Sequence, residues 1–163
     1  MCVRIPGWVL NLPVPSDLYS FFNPREAQVR LSVNSAAVDI NIEKGFARIH
    51  RKWQKGDTIE LDLPMTVHRV VAHDNIEDNR GKVALQRGPL VYCFEGVDNG
   101  DRISDQILPD DMEFVTDFHS DLLGGVLVIN GNVPGGSASI TAIPYYSWSH
   151  RGIGEMAVWL PRK

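Results

Sequence analysis

Carboxylates crowd one stretch of the chain: Glu95, Asp98, Asp101, Asp105, Asp110, Asp111 and Glu113. Hydrolysis of a sugar linkage ordinarily takes a pair of carboxyl groups at a fixed separation, one giving a proton and the other acting as base or nucleophile. Order along a chain does not set that separation. Gly96, Gly100 and Pro109 punctuate the stretch, so residues 96–112 read as a solvated surface loop. Asp98-Asn99-Gly100-Asp101 offers the oxygen donors that calcium takes, without the twelve-residue EF-hand pattern.

Other reactive side chains point away from catalysis. The histidines are His50, His68, His73, His119 and His150, and none has the i, i+4 or paired spacing of a metal site. They read as surface residues. Cys2 and Cys93 build neither a disulfide framework nor a four-ligand zinc site, and read as unpaired structural thiols. Cys93 lies inside an apolar strand, where a thiol is buried and inert rather than nucleophilic. The chain holds no Gly-x-Ser-x-Gly elbow and no phosphate loop.

The aromatic ending is different. Tyr145, Tyr146 and Trp148 are followed by His150 and Arg151. Flat rings beside hydrogen-bonding groups suit a carbohydrate-binding surface. The same rings suit a plug between domains, because Tyr and Trp combine a large apolar body with a polar tip. Packing is the expectation here: rings at least partly buried against the strand Leu90–Phe94 or against another domain.

The elements that must position these groups are strands. Gly81 to Glu95 reads as two strands joined across Arg87-Gly88-Pro89, and neither apolar run alternates, so both faces are covered. Cys2–Ile5 alternates and stops at Pro6-Gly7. Residues 9–27, with Pro13, Pro15 and Pro24, read as a loop with one short turn. Gln28–Val33, Gly45–Trp53 and Thr58–Leu63 read as strands, the last two forming a hairpin across Gln54-Lys55-Gly56-Asp57. Ile59, Leu61 and Leu63 then face a core, and Thr58, Glu60 and Asp62 face water. Val67–Ala72, Glu113–His119, a buried strand carried by Leu122–Ile129 that ends at Asn130-Gly131, Ala138–Ile143 and Glu155–Leu160 complete the strands, with Pro134-Gly135-Gly136 as a turn. Many short strands without helical periodicity indicate an all-β, antiparallel, jelly-roll-like β-sandwich. Two packed sandwich units are expected, 1–72 and 81–163, with 73–80 as the joint.

Bulk composition sets further bounds. The chain has 163 residues, enough to bury a sizeable core as one domain or two small ones. A net charge of −4 carries no nucleic-acid footprint. No apolar run is long enough for a membrane-spanning helix. Pro6 and Gly7 interrupt the N-terminus before an apolar signal segment forms, and the abrupt opening inside a strand suggests a cut through a larger protein.

Several motifs occur in a telling order. They are Arg4-Ile5-Pro6-Gly7-Trp8, Val33-Asn34, Trp53-Gln54-Lys55-Gly56-Asp57, Leu63-Pro64-Met65 and Gly-x-Val-Ala-x-x-Arg-Gly-Pro-Leu-Val-Tyr-Cys-x-Glu at 81–95. The ending Ile143-Pro144-Tyr145-Tyr146-Ser147-Trp148, Arg151-Gly152 and Met156–Leu160 completes them. Together they resemble the C-terminal region of glycoside hydrolase family 127, the bacterial β-L-arabinofuranosidase-like enzymes. The resemblance implies an N-terminal helical barrel that carries catalysis, with zinc held by Glu and Cys and a Cys nucleophile, followed by two β-sandwich domains. Only the sandwich part matches here. Neither Cys2 nor Cys93 stands at a catalytic cysteine position, so no catalytic residue carries over and no cofactor is expected in this chain; zinc is expected only in the barrel.

Three functions follow as alternatives. One is a non-catalytic accessory region that supports the barrel or an oligomer interface. The second is a carbohydrate-binding module using Tyr145, Tyr146, Trp148, His150 and Arg151. The third is an autonomous glycosidase with carboxylates in 95–113. The expected partners are the barrel of the same protein, carbohydrate and a second copy of the chain, with no nucleic acid and no membrane. Cytoplasm, periplasm and exterior all stay open as locations.

Overall fold

The central hairpin is built as its sequence requires. In a computed structural model that describes residues 1–24, 29–133 and 139–163, Lys82–Arg87 and Leu90–Glu95 pair antiparallel, with Val91 opposite Gln86. Val83, Ala84 and Leu85, then Tyr92, Cys93 and Phe94, are all buried. Gly88 makes the turn at φ 56°, a region that costs residues with a Cβ about 1–2 kcal/mol. A Cβ there would also collide with Met65 Sδ.

Fifteen short strands, otherwise joined only by turns and 3₁₀ segments, lie in the described residues. In chain order they are β1 (Cys2–Arg4), β2 (Tyr19–Phe22), β3 (Arg30–Val33), β4 (Ala36–Ala37), β5 (Ile42–Glu43), β6 (Phe46–Arg48), β7 (Ile59–Asp62) and β8 (Val67–Ala72). Then come β9 (Lys82–Arg87), β10 (Leu90–Glu95), β11 (Glu113–His119), β12 (Val126–Asn132), β13 (Ser139–Pro144), β14 (Met156–Ala157) and β15 (Leu160–Pro161). Every strand pair is antiparallel. The fold is all-β, with antiparallel sheets packed on one another.

Two three-stranded sheets, β1-β6-β5 and β4-β3-β7, come first. They share one core of Ile5, Val9, Leu31, Val33, Ala47 and Ile49. A nine-stranded sheet follows the path β11-β12-β13-β10-β9-β8-β2, with β14 on β10 and β15 on β9. Its main core includes Val83, Leu85, Tyr92, Phe94, Ile103, Leu108, Met112, Ile129 and Leu160. Cys93, Val128 and Ile143 form a second cluster under Leu122 and Leu123.

Four expectations change. The hairpin between Gly45–Trp53 and Thr58–Leu63 does not form. The turn exists, with Asp57 Oδ2 accepting from the Gln54 N–H at 2.9 Å and Gly56 at φ 95°. It delivers β7 to β3, where Leu61 faces Leu31, while β6 pairs with β1 and β5. Asn34 fixes that choice: its Nδ2 donates to Asp57 Oδ1 at 2.8 Å, and its Oδ1 accepts from the Thr58 N–H. Second, Tyr19–Phe22 is a strand, not loop, because β8 supplies its ladder partner from Arg69 to Ala72. Third, 96–112 is not merely solvated loop: Ile103, Leu108 and Met112 enter the core. Fourth, strand ends move: β12 runs through Asn130-Gly131 to Asn132 because β13 continues its ladder there, and the final strand is broken into β14 and β15, which serve different neighbours. The expected start at Gln28, the turn at 134–136 and Ala138 lie outside the described residues.

The first part of the chain reaches into the large sheet at two places. β2 pairs with β8, and Trp8 packs against both the first core and the cluster of Phe21, Val70 and Ala84. Residues 73–80 connect β8 to β9, which are neighbours in one sheet. Arg69 closes the side of the large unit by donating from Nη2 to the Pro109 and Met112 carbonyls at 2.7 and 2.9 Å, with Phe114 beneath it.

Burial ranks the expected costs of truncation. Leu85→Ala removes a fully buried side chain and should cost about 2–5 kcal/mol. Leu61 faces inward but is only half-buried, so Leu61→Ala should cost about 1–2 kcal/mol. Glu60 is exposed and accepts one bond from Ser32 Oγ, so Glu60→Ala should change stability by less than about 0.5 kcal/mol. Urea unfolding of the three variants checks that order.

Candidate functional site

Pro144 ends β13, and the chain turns at once through a 3₁₀ segment, Tyr145–Ser147. That segment rests on β10. Ser147 is buried, which leaves its neighbours pointing outward: Tyr145 is 44%, Tyr146 64% and Trp148 37% exposed. Tyr145 and Trp148 stack with centroids 6.2 Å apart and planes 27° apart. A hollow of about 510 Å³ borders Trp148, Ser149, Arg151, Ile153 and Glu155.

The segment is fastened by charge. The Arg151 guanidinium reaches back to β10 and to the 3₁₀ turn after it. Its Nη1 donates to Asp98 Oδ1 at 2.7 Å, Nε donates to Glu95 Oε2 at 3.1 Å, and Nη2 contacts both carboxylates. Glu95 Oε1 also accepts from the Ser149 N–H at 3.0 Å. Only 17% of the Arg151 side chain is exposed, against 9% for Glu95 and 19% for Asp98. The hydrogen bonds that Arg151 donates to Asp98 raise its pKa above the ordinary value; desolvation opposes them and the bonds to Glu95 add to the rise.

The structure therefore divides the five expected residues. Tyr145 and Trp148 stack as one open ring pair, and Tyr146 stands exposed on the same segment. Arg151 turns away from these rings into the ion cluster, and exposed His150 sits over the segment with Nδ1 3.2 Å from the Ser147 carbonyl. Sequence reasoning missed the joining of Arg151 to Glu95 and Asp98. More than fifty positions separate the partners, and no local pattern couples them.

The other carboxylates do not assemble. Asp105 pairs with Arg102, and Asp110 pairs with Arg162 at 2.6 Å. Asp98, the one catalytic candidate beside Glu95, shares an arginine with it. The Asp98–Asp101 run is also spoken for. Asn99 Nδ2 donates to the Glu95 and Thr141 carbonyls, while its Oδ1 accepts from the Thr141 N–H. Among the described residues no group of three or more His, Cys, Asp or Glu could hold a metal ion. Cys2 is exposed, whereas Cys93 is buried. Burial first, and the Glu95 charge second, push the Cys93 thiol up to about 12.

Comparison with known proteins places this architecture. Residues 1–65 match the profile "Beta-L-arabinofuranosidase, GH127 middle domain", and residues 67–161 match "Glycoside hydrolase family 127 C-terminal domain". The chain belongs to glycoside hydrolase family 127. A non-reducing end β-L-arabinofuranosidase of Bifidobacterium longum is 34% identical, covering 98% of this chain and 25% of its own length. A solved GH127 β-arabinofuranosidase superposes with a TM-score of 0.90 at 36% identity, over 100% of this chain and 27% of that one. A GH127 β-L-arabinofuranosidase from Geobacillus stearothermophilus T6 gives a TM-score of 0.81 at 39% identity, over 99% and 26%. The family 127 segment described here thus spans about a quarter of the length of these relatives. The zinc that the resemblance implies finds no ligand set among its described residues.

Two outcomes test the site. Arg151→Met leaves two mostly buried carboxylates facing one another, a class of change that costs roughly 3–5 kcal/mol. The residual exposure of the cluster puts the expected loss near the lower figure, read as a fall in the urea midpoint. Cys93 should resist iodoacetamide in the folded protein at pH 8 while Cys2 reacts, as peptide mass mapping would show. An ordinary thiol loses its proton near pH 9.0 when unfolded and Cys93 does so near 12 when folded. The unfolded state then binds fewer protons above pH 9, so this group's contribution to stability declines as pH rises from about 9 to 12.

Proposed function

We propose that this chain is the non-catalytic β region of a β-L-arabinofuranosidase-like protein, and that its open aromatic surface docks the catalytic part of that protein. One observation carries the reading: three large rings stand exposed on a segment that a mostly buried ion cluster holds rigid. Rings fixed in advance lose little freedom on contact, and covering the exposed part of each gains about 1–2 kcal/mol. The barrel, its zinc and its nucleophile lie outside this chain on this reading, as does cleavage of an arabinofuranoside.

Carbohydrate is the second reading, favoured by the side-by-side stacking of Tyr145 and Trp148 next to an open hollow. Such rings can cover the C–H face of a sugar. The division of the chain is also a proposal. A boundary across 73–80 would cut the β8–β9 ladder, so one near Met65–Val67 fits that pairing better, with β2 crossing it to reach β8.

Iodide quenching of tryptophan fluorescence separates the readings. The difference between the parent chain and Trp148→Phe isolates Trp148, which should be quenched in the chain alone. In the same segment within a family-length protein the ring should be shielded. Shielding by arabino-oligosaccharides in the chain alone would transfer the role to sugar binding. Full quenching in every condition would end the docking reading.

A further inference from the structure

Two stretches of the large sheet, β8 and the start of β11, face one another across an opening of about 650 Å³. Openings of roughly 300–1,000 Å³ are the size that small molecules occupy. Residues 65–69 form one wall and residues 112–116 the other. Arg69 spans the gap from β8, donating from Nη2 to the Pro109 and Met112 carbonyls. Its guanidinium lies 4.6 Å from the centroid of the Phe114 ring. Strand alternation puts Thr116 on the same face of β11 as Phe114, and Glu113 on the other.

The charge in this opening is not balanced. Both bonds of Arg69 leave from one nitrogen and end on neutral carbonyls. Its Nε has no acceptor, and no carboxylate pairs with it among the described residues. Asp110, which also borders the opening, is committed elsewhere: Arg162 grips it with Nε at 3.0 Å and Nη2 at 2.6 Å. Burial lowers the Arg69 pKa; Asp110 and Asp111 oppose that shift, and Arg162 adds to it. A half-buried cation short of counter-charge favours an anion beside it, and a guanidinium matches the planar fork of a carboxylate. Around the charge the walls are mixed. Thr66, Thr116 and Asn23 border the opening with groups that both donate and accept, and Met65 and Phe22 add apolar surface.

We propose that the opening between β8 and β11 binds a sugar acid, a hexuronate whose carboxylate pairs with Arg69 while its hydroxyls meet Thr66, Thr116 and Asn23. A neutral sugar would leave the guanidinium without counter-charge. A bare inorganic anion would leave most of the volume and the rim hydroxyls unused. The site shares no residue with the hollow beside Trp148, so it stands whether or not the aromatic segment docks a partner.

Titration of the ¹⁵N-labelled 163-residue chain with D-galacturonate, followed by its amide and arginine Nε resonances, tests the proposal. Saturable shifts are expected at 65–69 and 112–116, and none at 145–148. D-Galactose carries CH₂OH in place of the carboxylate and should bind about tenfold more weakly or worse, because the charge-assisted pair is gone. Inorganic phosphate, which carries charge without the ring, should also bind about tenfold more weakly or worse. Tighter binding of digalacturonate than of the monomer makes the ligand a glycan end, and equal binding makes it the free acid; both uphold the site. Arg69→Gln should weaken galacturonate binding about tenfold or more. Thr116→Trp, at an exposed position on the Arg69 side of β11, should block the opening. Should Arg69→Gln unfold, as circular dichroism would show, Thr116→Trp and the galactose comparison decide. Absence of saturable shifts up to about 50 mM galacturonate overturns the proposal. So do equal affinity for galactose or phosphate, binding indifferent to Thr116→Trp, and shifts confined to 145–148. None of these results alters the outcome of Trp148 quenching, so the two readings fail separately.

Discussion

A strand pair with no face left for water obliges the chain to supply cover on both sides. β9 and β10 are such a pair. Leu85, Tyr92 and Phe94 need one apolar layer; Ala84 and Cys93 need others. The rest of the fold can be read as meeting that demand. β12 and β13 bring Ile129, Ile140 and Ala142 to one face, and the 96–112 segment adds Ile103 and Leu108. Phe21 from β2 and Trp8 cover Ala84. The short closing strands then complete the two ladders, β14 on β10 and β15 on β9. The final strand breaks because one straight strand could not serve both.

The same demand interlocks the two profile-matched parts. β2 lies within residues 1–65 yet finishes the large sheet beside β8. Tyr19 stacks on Trp159, with centroids 5.7 Å apart, and Arg162 lies 3.9 Å over Phe22. Arg162 also holds Asp110. The N-terminal excursion is thus clamped by the C-terminal end. Separating the parts would strip β8 of a ladder partner and open the cluster of Phe21, Val70 and Ala84 to water.

Much of this was legible where local chemistry decides. The β9–β10 hairpin was readable from two apolar runs about Arg87-Gly88-Pro89, and the all-β class from turn residues between short runs. What was not legible depends on distant partners. Gln54–Asp57 announced a turn, but the identity of the strand delivered by it rested on Asn34, more than twenty positions away. Tyr19–Phe22 looked like loop because three prolines surround it, and only β8 makes it a strand. Proline excludes donors locally; it does not say what a neighbouring ladder will accept. The carboxylate-rich stretch read as solvent-facing because its polar residues outnumber its apolar ones, yet Leu108 is fully buried.

The candidate chemistry fared the same way. The buried groups with reactive potential are committed to holding the fold. Glu95 and Asp98 neutralise Arg151, Asp110 neutralises Arg162, Asn99 staples β10 to β13, and Cys93 fills a core. A carboxylate whose oxygens are taken by a guanidinium is poorly placed to accept a proton from a substrate. What these commitments leave open to solvent is apolar and flat: Tyr145, Tyr146 and Trp148 at one place, Val115 and Phe118 at another. Ion clusters stiffen the first, and a seven-residue ladder stiffens the second. Rigid apolar surface with its polar neighbours already satisfied is suited to contact, because covering it desolvates little that needs water. The residues that looked catalytic in sequence thus serve to present surfaces that look, in structure, like places where other molecules rest.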